Sequence, residues 1–126
     1  MAHIACLMSA ALIHLLLIFS SQAIASRALP LFNNLCRTCH SLKPRDHRLG
    51  PSLAQIYGRV SGSAPGYSYT EAMRTAGITW NETTLDIFLA EPDNLIHGHG
   101  MNPYGGIKSE TDRSAIIQLL KAHSRN

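Results

Sequence analysis

The strongest constraint on this chain is the pentapeptide Cys36-Arg37-Thr38-Cys39-His40. Two thiols stand two residues apart and an imidazole follows the second at once, so three reactive groups are committed to one object. The remaining cysteine, Cys6, lies in an apolar N-terminal stretch, which leaves the body of the chain with this pair alone. At 126 residues there is room for one domain. Hydrophobic residues make up 45% and charged residues 15%, a globular composition that excludes a wholly disordered chain. Aromatics are only 6%. A small core so poor in large rings needs another source of stability, such as a disulfide, a metal or a bound cofactor.

Residues 1–25 read as a signal peptide. Ile4 to Phe19 is apolar except for Ser9 and His14, and Ala23-Ile24-Ala25 is a small-x-small cleavage signal that places the cut after Ala25. The segment departs from the usual pattern in having no Lys or Arg ahead of its apolar run, only the amino terminus and His3. The rival is an uncleaved membrane anchor, since the stretch is just long enough to span. The first helical pattern begins near Ala28, which would leave an anchored domain almost no linker and so favours cleavage. On both readings residues 26–126 form one exported domain, periplasmic if the chain is bacterial, and either free there or associated with the membrane.

In an exported chain, Cys-x-x-Cys-His is the attachment motif of a c-type haem. The thiols add across the two vinyl groups of one haem, and the two intervening residues set the thiols at the vinyl separation. His40 is thereby carried onto the iron. Two other chemistries compete. A disulfide or redox pair suits an oxidising compartment, but the βαβ pattern of thioredoxin-like chains is absent. A zinc site needs two further ligands, for which only His97 and His99 offer themselves.

Beyond the motif the chain reads as helices and loops with little strand signal. Ala28, Leu29, Phe32, Cys36 and Cys39 recur at three- and four-residue spacing, which predicts an amphipathic helix ending at the cysteines. Leu42 to Leu53 is turn-like, and residues 61–66 are loop. Thr70 to Thr75 predicts a short helix stopped by Gly77. Asn81 is placed to cap a helix from Glu82 to Ala90 that Pro92 ends. Residues 92–108, rich in Gly and Pro, read as a loop wrapped over something. Ser109-Glu110-Thr111-Asp112 predicts a capping box, with Ala115, Ile116, Leu119 and Leu120 as the apolar stripe behind it.

A protein-supplied second iron ligand would be Met or His. Past residue 25 there are two methionines: Met73 in a helical stretch and Met101 between glycines in the 92–108 loop. Glycines let backbone approach a macrocycle closely, which favours Met101; His99 and His97 are the alternatives. The net charge of +3 comes with no Lys/Arg run and no basic face interleaved with aromatics, so nucleic acid is not an expected partner.

From about Ala28 to Ala122 the chain resembles the class I, mitochondrial-type and bacterial, monohaem cytochromes c. The resemblance rests on the haem motif with Gly50-Pro51-Ser52-Leu53, Tyr57-Gly58-Arg59, Ala64-Pro65-Gly66-Tyr67-Ser68-Tyr69, Gly77-Ile78-Thr79-Trp80, Pro92, the Met101 loop and Gly106-Ile107-Lys108, in the family's order. It implies a small all-α fold wrapped around one haem c, held through two thioethers from Cys36 and Cys39. His40 would be the proximal iron ligand, the Pro51 carbonyl would hold its second nitrogen, and Met101 would be the distal ligand. Arg59, Tyr69 and Trp80 would face the propionates, and Phe32 and Ile116 would join the first and last helices.

The implied activity is that of an electron carrier and not an enzyme: single electrons pass between larger redox proteins, a donor and an acceptor, one of which can be a membrane-bound oxidase or reductase. The chain would act as a monomer. Two alternatives are a dedicated relay subunit of a periplasmic oxidase or dehydrogenase complex, and a weak haem peroxidase formed by loss of Met101 from iron.

Departures from the family accompany the resemblance. Where relatives carry a buried Asn, Tyr and Thr near the Met ligand, this chain has Met73, Phe88 and His99. The aromatic after the ligand is Tyr104, displaced by an insertion around Asn102-Pro103. Usual lysine positions at the haem edge read Leu35, Asp93, Asn94 and Gly100, leaving Arg48 and Lys108.

Overall fold

A computed structural model describes residues 26–125; the expected signal peptide, residues 1–25, and Asn126 lie outside the described residues. Helix α1 covers residues 26–35. It presents Ala28 and Phe32, four residues apart, to the core. The expected helix through the cysteines stops short of them: Cys36 to Cys39 form turns beyond it. The Arg37 N–H joins that of Cys36 on the Phe32 carbonyl, and those of Cys39 and His40 converge on the Cys36 carbonyl. This winding leaves both sulfurs and the imidazole in one short turn.

The chain then runs as loop to residue 70, tied back by Gly50 N–H to the Cys39 carbonyl (2.7 Å) and Leu53 N–H to that of Ser41 (2.8 Å). Helix α2, Glu71–Thr75, is capped by the Thr70 hydroxyl, which accepts from the Met73 N–H. Helix α3, Glu82–Ala90, begins at Asn81 as its sequence requires, and the reciprocal capping box of this fold sits here: Asn81 accepts from Thr84 N–H while the Thr84 hydroxyl accepts from Asn81 N–H. The 92–108 segment is not loop from its start, because Pro92–Asn94 makes one 3-10 turn, with proline's fixed φ suited to a first helical position.

Helix α4, Glu110–Ala122, has half of its expected capping box. Ser109 accepts from Asp112 N–H, but the Asp112 carboxylate pairs with Arg27 of α1 at 2.7 Å. Its buried stripe is Ala115, Ile116, Ile117 and Leu120, with Leu119 only partly covered. Ile117 is buried because α3 packs on that flank, held by Arg113 on Asp86 (2.6 Å) and Lys121 near Glu82 (3.5 Å).

Phe32, Ile56, Trp80, Leu85, Phe88, Ile107 and Ile116 belong to a single core cluster, which brings the first and last helices together. The fold is all-α; among the described residues there is no strand, only one antiparallel bridge between Val60 and Thr79. Flanking bonds from Ser61 N–H to Ile78 and Trp80 N–H to Arg59 hold that bridge and bring Arg59 beside Trp80.

Candidate functional site

Residues from across the chain meet around one largely apolar cavity of about 510 Å³, a volume typical of cofactor clefts. Cys36, Cys39, His40, Pro51, Arg59, Tyr69, Trp80 and Met101 all line it. Every residue expected of the site from the sequence is therefore on its wall. Met73, Leu85, Phe88, His99 and Tyr104 share the lining. His97 does not: its side chain is 95% exposed and lies beside Asp93 at 3.3 Å.

His40 is buried, and its Nδ1–H donates to the Pro51 carbonyl at 2.7 Å. A carbonyl can only accept, so the proton is on Nδ1 and Nε2 keeps its lone pair. Burial lowers the His40 pKa and the Pro51 bond opposes the shift, so the neutral, ligating form prevails. Gly50 lies against this ring; a Cβ built there would stand 2.4 Å from His40 Cε1. Only a residue without a side chain leaves the imidazole room.

Burial, aided by the neighbouring Cys39, pushes the Cys36 thiol up to about 11. Both cysteines are unpaired thiols in this structure. Among the described residues no group of three His, Cys, Asp or Glu side chains could hold a metal ion, so the zinc alternative has no support there.

Arg59 donates to the carbonyls of Ala54 (3.0 Å) and Ser52 (3.4 Å), yet its Nε is buried with no partner. A buried unsatisfied donor is costly and calls for an acceptor. An anionic group at the polar end of the cavity, such as a haem propionate, answers it. Tyr69 stands close by in edge contact with Tyr67 (4.8 Å); burial raises its pKa while Arg59 works the other way. Sequence reasoning did not single out His47, whose Nδ1 accepts from Ser52 N–H while its Nε2–H donates to the Pro65 carbonyl. This imidazole ties the loop below the proximal side to residues 61–66. Nothing in its local sequence signals that role, because its two partners are 5 and 18 residues away.

Met101 enters the lining from a loop fixed by tertiary contacts. Gly106, at φ 77°, lies so close to α3 that a Cβ would stand 2.1 Å from the Ala90 carbonyl oxygen. Ile107 N–H and the Tyr104 hydroxyl both donate to the Leu89 carbonyl, at 2.8 and 2.7 Å. Burial, with Cys36 adding to it, raises the Tyr104 pKa, so its hydroxyl stays a donor. At the rim, Leu35 and Leu49 are exposed; of the cations expected at the haem edge, Arg48 lies 3.6 Å from Asp46 and Lys108 lies 3.5 Å from Glu91.

Two thiols, a tautomerically fixed imidazole, an apolar cleft and a buried, unpartnered guanidinium nitrogen suit this small all-α domain to a covalently attached haem c. The family model for cytochrome c matches residues 26–124, and the chain belongs to the cytochrome c family. Cytochrome c of Cochliobolus lunatus is 38% identical over 105 residues, covering 82% of this chain and 96% of that protein. Cytochrome c of Arabidopsis thaliana is 37% identical over 107 residues, covering 84% and 95%. Cytochrome c2 iso-2 of Magnetospirillum fulvum is 38% identical over 88 residues, covering 70% and 91%. Family membership brings the cofactor and the class of activity with it: one haem c per chain, and electron transfer rather than enzymatic turnover. No helix among the described residues is long and apolar enough to cross a membrane.

Proposed function

We propose that this chain is an exported single-electron shuttle whose haem iron is held by His40 and Met101, with Cys36 and Cys39 as the thioether anchors. Bound haem supplies the one-electron couple. The protein's residues do the rest. Pro51 orients His40, Arg59 with Tyr69 and Trp80 receives the propionates, and the apolar wall excludes water. A nitrogen and a thioether ligand suit both iron oxidation states, so little has to rearrange on electron gain and no coordination position is left for a substrate. Export follows from the proposed removal of residues 1–25, since attachment through Cys36 and Cys39 belongs to an extracytoplasmic compartment.

The observation that carries this reading is the meeting of His40, its Nε2 left for iron, with Met101 on the wall of one cavity that also holds both thiols. The test is the absorption spectrum of the purified native protein, oxidised and reduced, together with its intact mass. The expected result is a low-spin c-type spectrum with ferric thioether ligation, and a mass equal to residues 26–126 plus one haem. A high-spin spectrum, or rapid binding of carbon monoxide to the native ferrous protein, would refute the ligand set and favour the peroxidase alternative.

A second reading, a relay subunit dedicated to one partner complex, draws on the rim. Its exposed leucines and already paired cations suit a private, weakly electrostatic contact. Co-purification of the native protein with a redox complex tests it.

A further inference from the structure

His97 and His99 are two residues apart and have opposite fates. The His97 side chain is 95% exposed, whereas that of His99 is 5% exposed. The buried ring stands in T-shaped contact with Phe88 (centroids 5.6 Å, 84°), and Phe88 in turn meets Trp80 in the same manner (5.0 Å, 61°). His99 is thus a wedge between the α3 side of the core and the Met101 loop.

One nitrogen of its polar edge is committed as well. The backbone N–H of Met101 donates to His99 Nδ1 at 2.8 Å. An Nδ1 that accepts must be unprotonated, so the neutral ring carries its hydrogen on Nε2. That nitrogen faces the Asp93 carboxylate at 3.8 Å. The flanking residues supply no stiffness of their own: Gly98 and Gly100 sit at φ 80° and 77°, and glycine loses more conformational freedom on ordering than any other residue. The Met101 amide is therefore held by a side chain anchored in the core.

We propose that His99 is the positioning residue of the Met101 loop, its Nδ1 accepting the Met101 amide and its ring wedged on Phe88. This rests on Met101 being the distal iron ligand. His99 then does not compete for the iron; it reduces the conformational freedom of the segment that presents the thioether.

The test uses the ferric holoprotein and added imidazole, which binds iron only when the Met101 loop opens. His99→Phe keeps a ring against Phe88 and removes the acceptor. His99→Asn loses the ring contact but can accept the N–H two residues on, as asparagine does in turns. Losing one such bond should raise apparent imidazole affinity roughly three- to tenfold in His99→Phe. His99→Asn should recover most of the wild-type value, and His97→Ala should match wild type. Equal affinity in His99→Phe and wild type, or no recovery in His99→Asn, would overturn the proposal.

A measurement on the unmodified ferrous protein stands beside the variants. Long-range 1H–15N correlations should show His99 as the Nε2–H tautomer and the Met101 amide as slow to exchange. An Nδ1–H tautomer would refute the role even if the variants failed to fold. If the wild-type ferric protein lacks thioether ligation altogether, the ligand assignment fails, and the positioning role falls with it; if ligation is present and His99→Phe is silent, only the positioning role fails.

Discussion

Replacing Gly50 by alanine tests the proximal side of the site with a single methyl group. The new Cβ would stand 2.4 Å from His40 Cε1, 2.8 Å from Nδ1 and 2.9 Å from Nε2. Comfortable carbon contacts begin near ~3.5 Å, so ring and backbone must separate by about 1 Å. The backbone cannot yield, because Gly50 N–H is bound to the Cys39 carbonyl (2.7 Å) and the Gly50 carbonyl to Arg48 N–H (2.9 Å). The imidazole has to move, and a retreat of that size takes its 2.7 Å bond to the Pro51 carbonyl beyond hydrogen-bonding range. Overpacking costs about 1–3 kcal/mol and the lost bond about 0.5–1.5, which gives a loss of about 1.5–4.5 kcal/mol. An imidazole deprived of its carbonyl acceptor is also a weaker donor to iron, so the reduction potential should rise.

Guanidinium unfolding of the ferric holoprotein and a potentiometric titration measure both effects. Two other glycines calibrate the result. Gly105→Ala, where a Cβ meets nothing within 4 Å, should stay within about 0.5 kcal/mol of wild type. Gly77→Ala, with open space but φ 65°, should lose only the left-handed backbone penalty of about 1–2 kcal/mol. If Gly50→Ala unfolds with the Gly105→Ala midpoint and an unchanged potential, the account of His40 as a ring pinned between Gly50 and Pro51 is wrong.

Three further outcomes are expected. Cys36→Ala combined with Cys39→Ala should leave haem extractable by acidified organic solvent and should cost most of the native helicity by circular dichroism, because the 510 Å³ cavity at the centre of a ring-poor core loses its covalent filler; retention of native helicity without haem would contradict this. Arg113→Met should destabilise by about 1–3 kcal/mol in denaturant titrations, since Arg113 joins Asp86 to the Ile107 and Lys108 carbonyls and so fastens α4 to α3 and to the end of the Met101 loop. Association with an acidic redox partner, followed by stopped flow, should slow only mildly as salt rises, because Arg48 and Lys108 at the rim are already close to Asp46 and Glu91; a steep fall would mean that the cations act as a steering field after all.

The sequence by itself determined whatever depends on neighbours along the chain. The spacing of Cys36, Cys39 and His40 is covalent, so the attachment chemistry was legible before any fold. Helix starts at Asn81 and Ser109 were legible for the same reason: a cap acts on an amide two or three residues away. The cleft-lining residues named from family resemblance lie around one cavity because their spacing follows that of relatives whose fold this chain shares. Tertiary structure decided what depends on which surfaces meet. The Asp112 side chain left its cap for Arg27, a residue 85 positions earlier that the fold brings alongside it. Gly50 became indispensable room for an imidazole ten positions earlier, and Ile117 joined the core because α3 covers that flank. Between His97 and His99, identical in type and nearly in place, only the packing of Phe88 against the loop separated a solvated side chain from the one that holds the Met101 amide. Burial is set by what comes to lie alongside a residue, and a one-dimensional pattern of residue types does not carry that information.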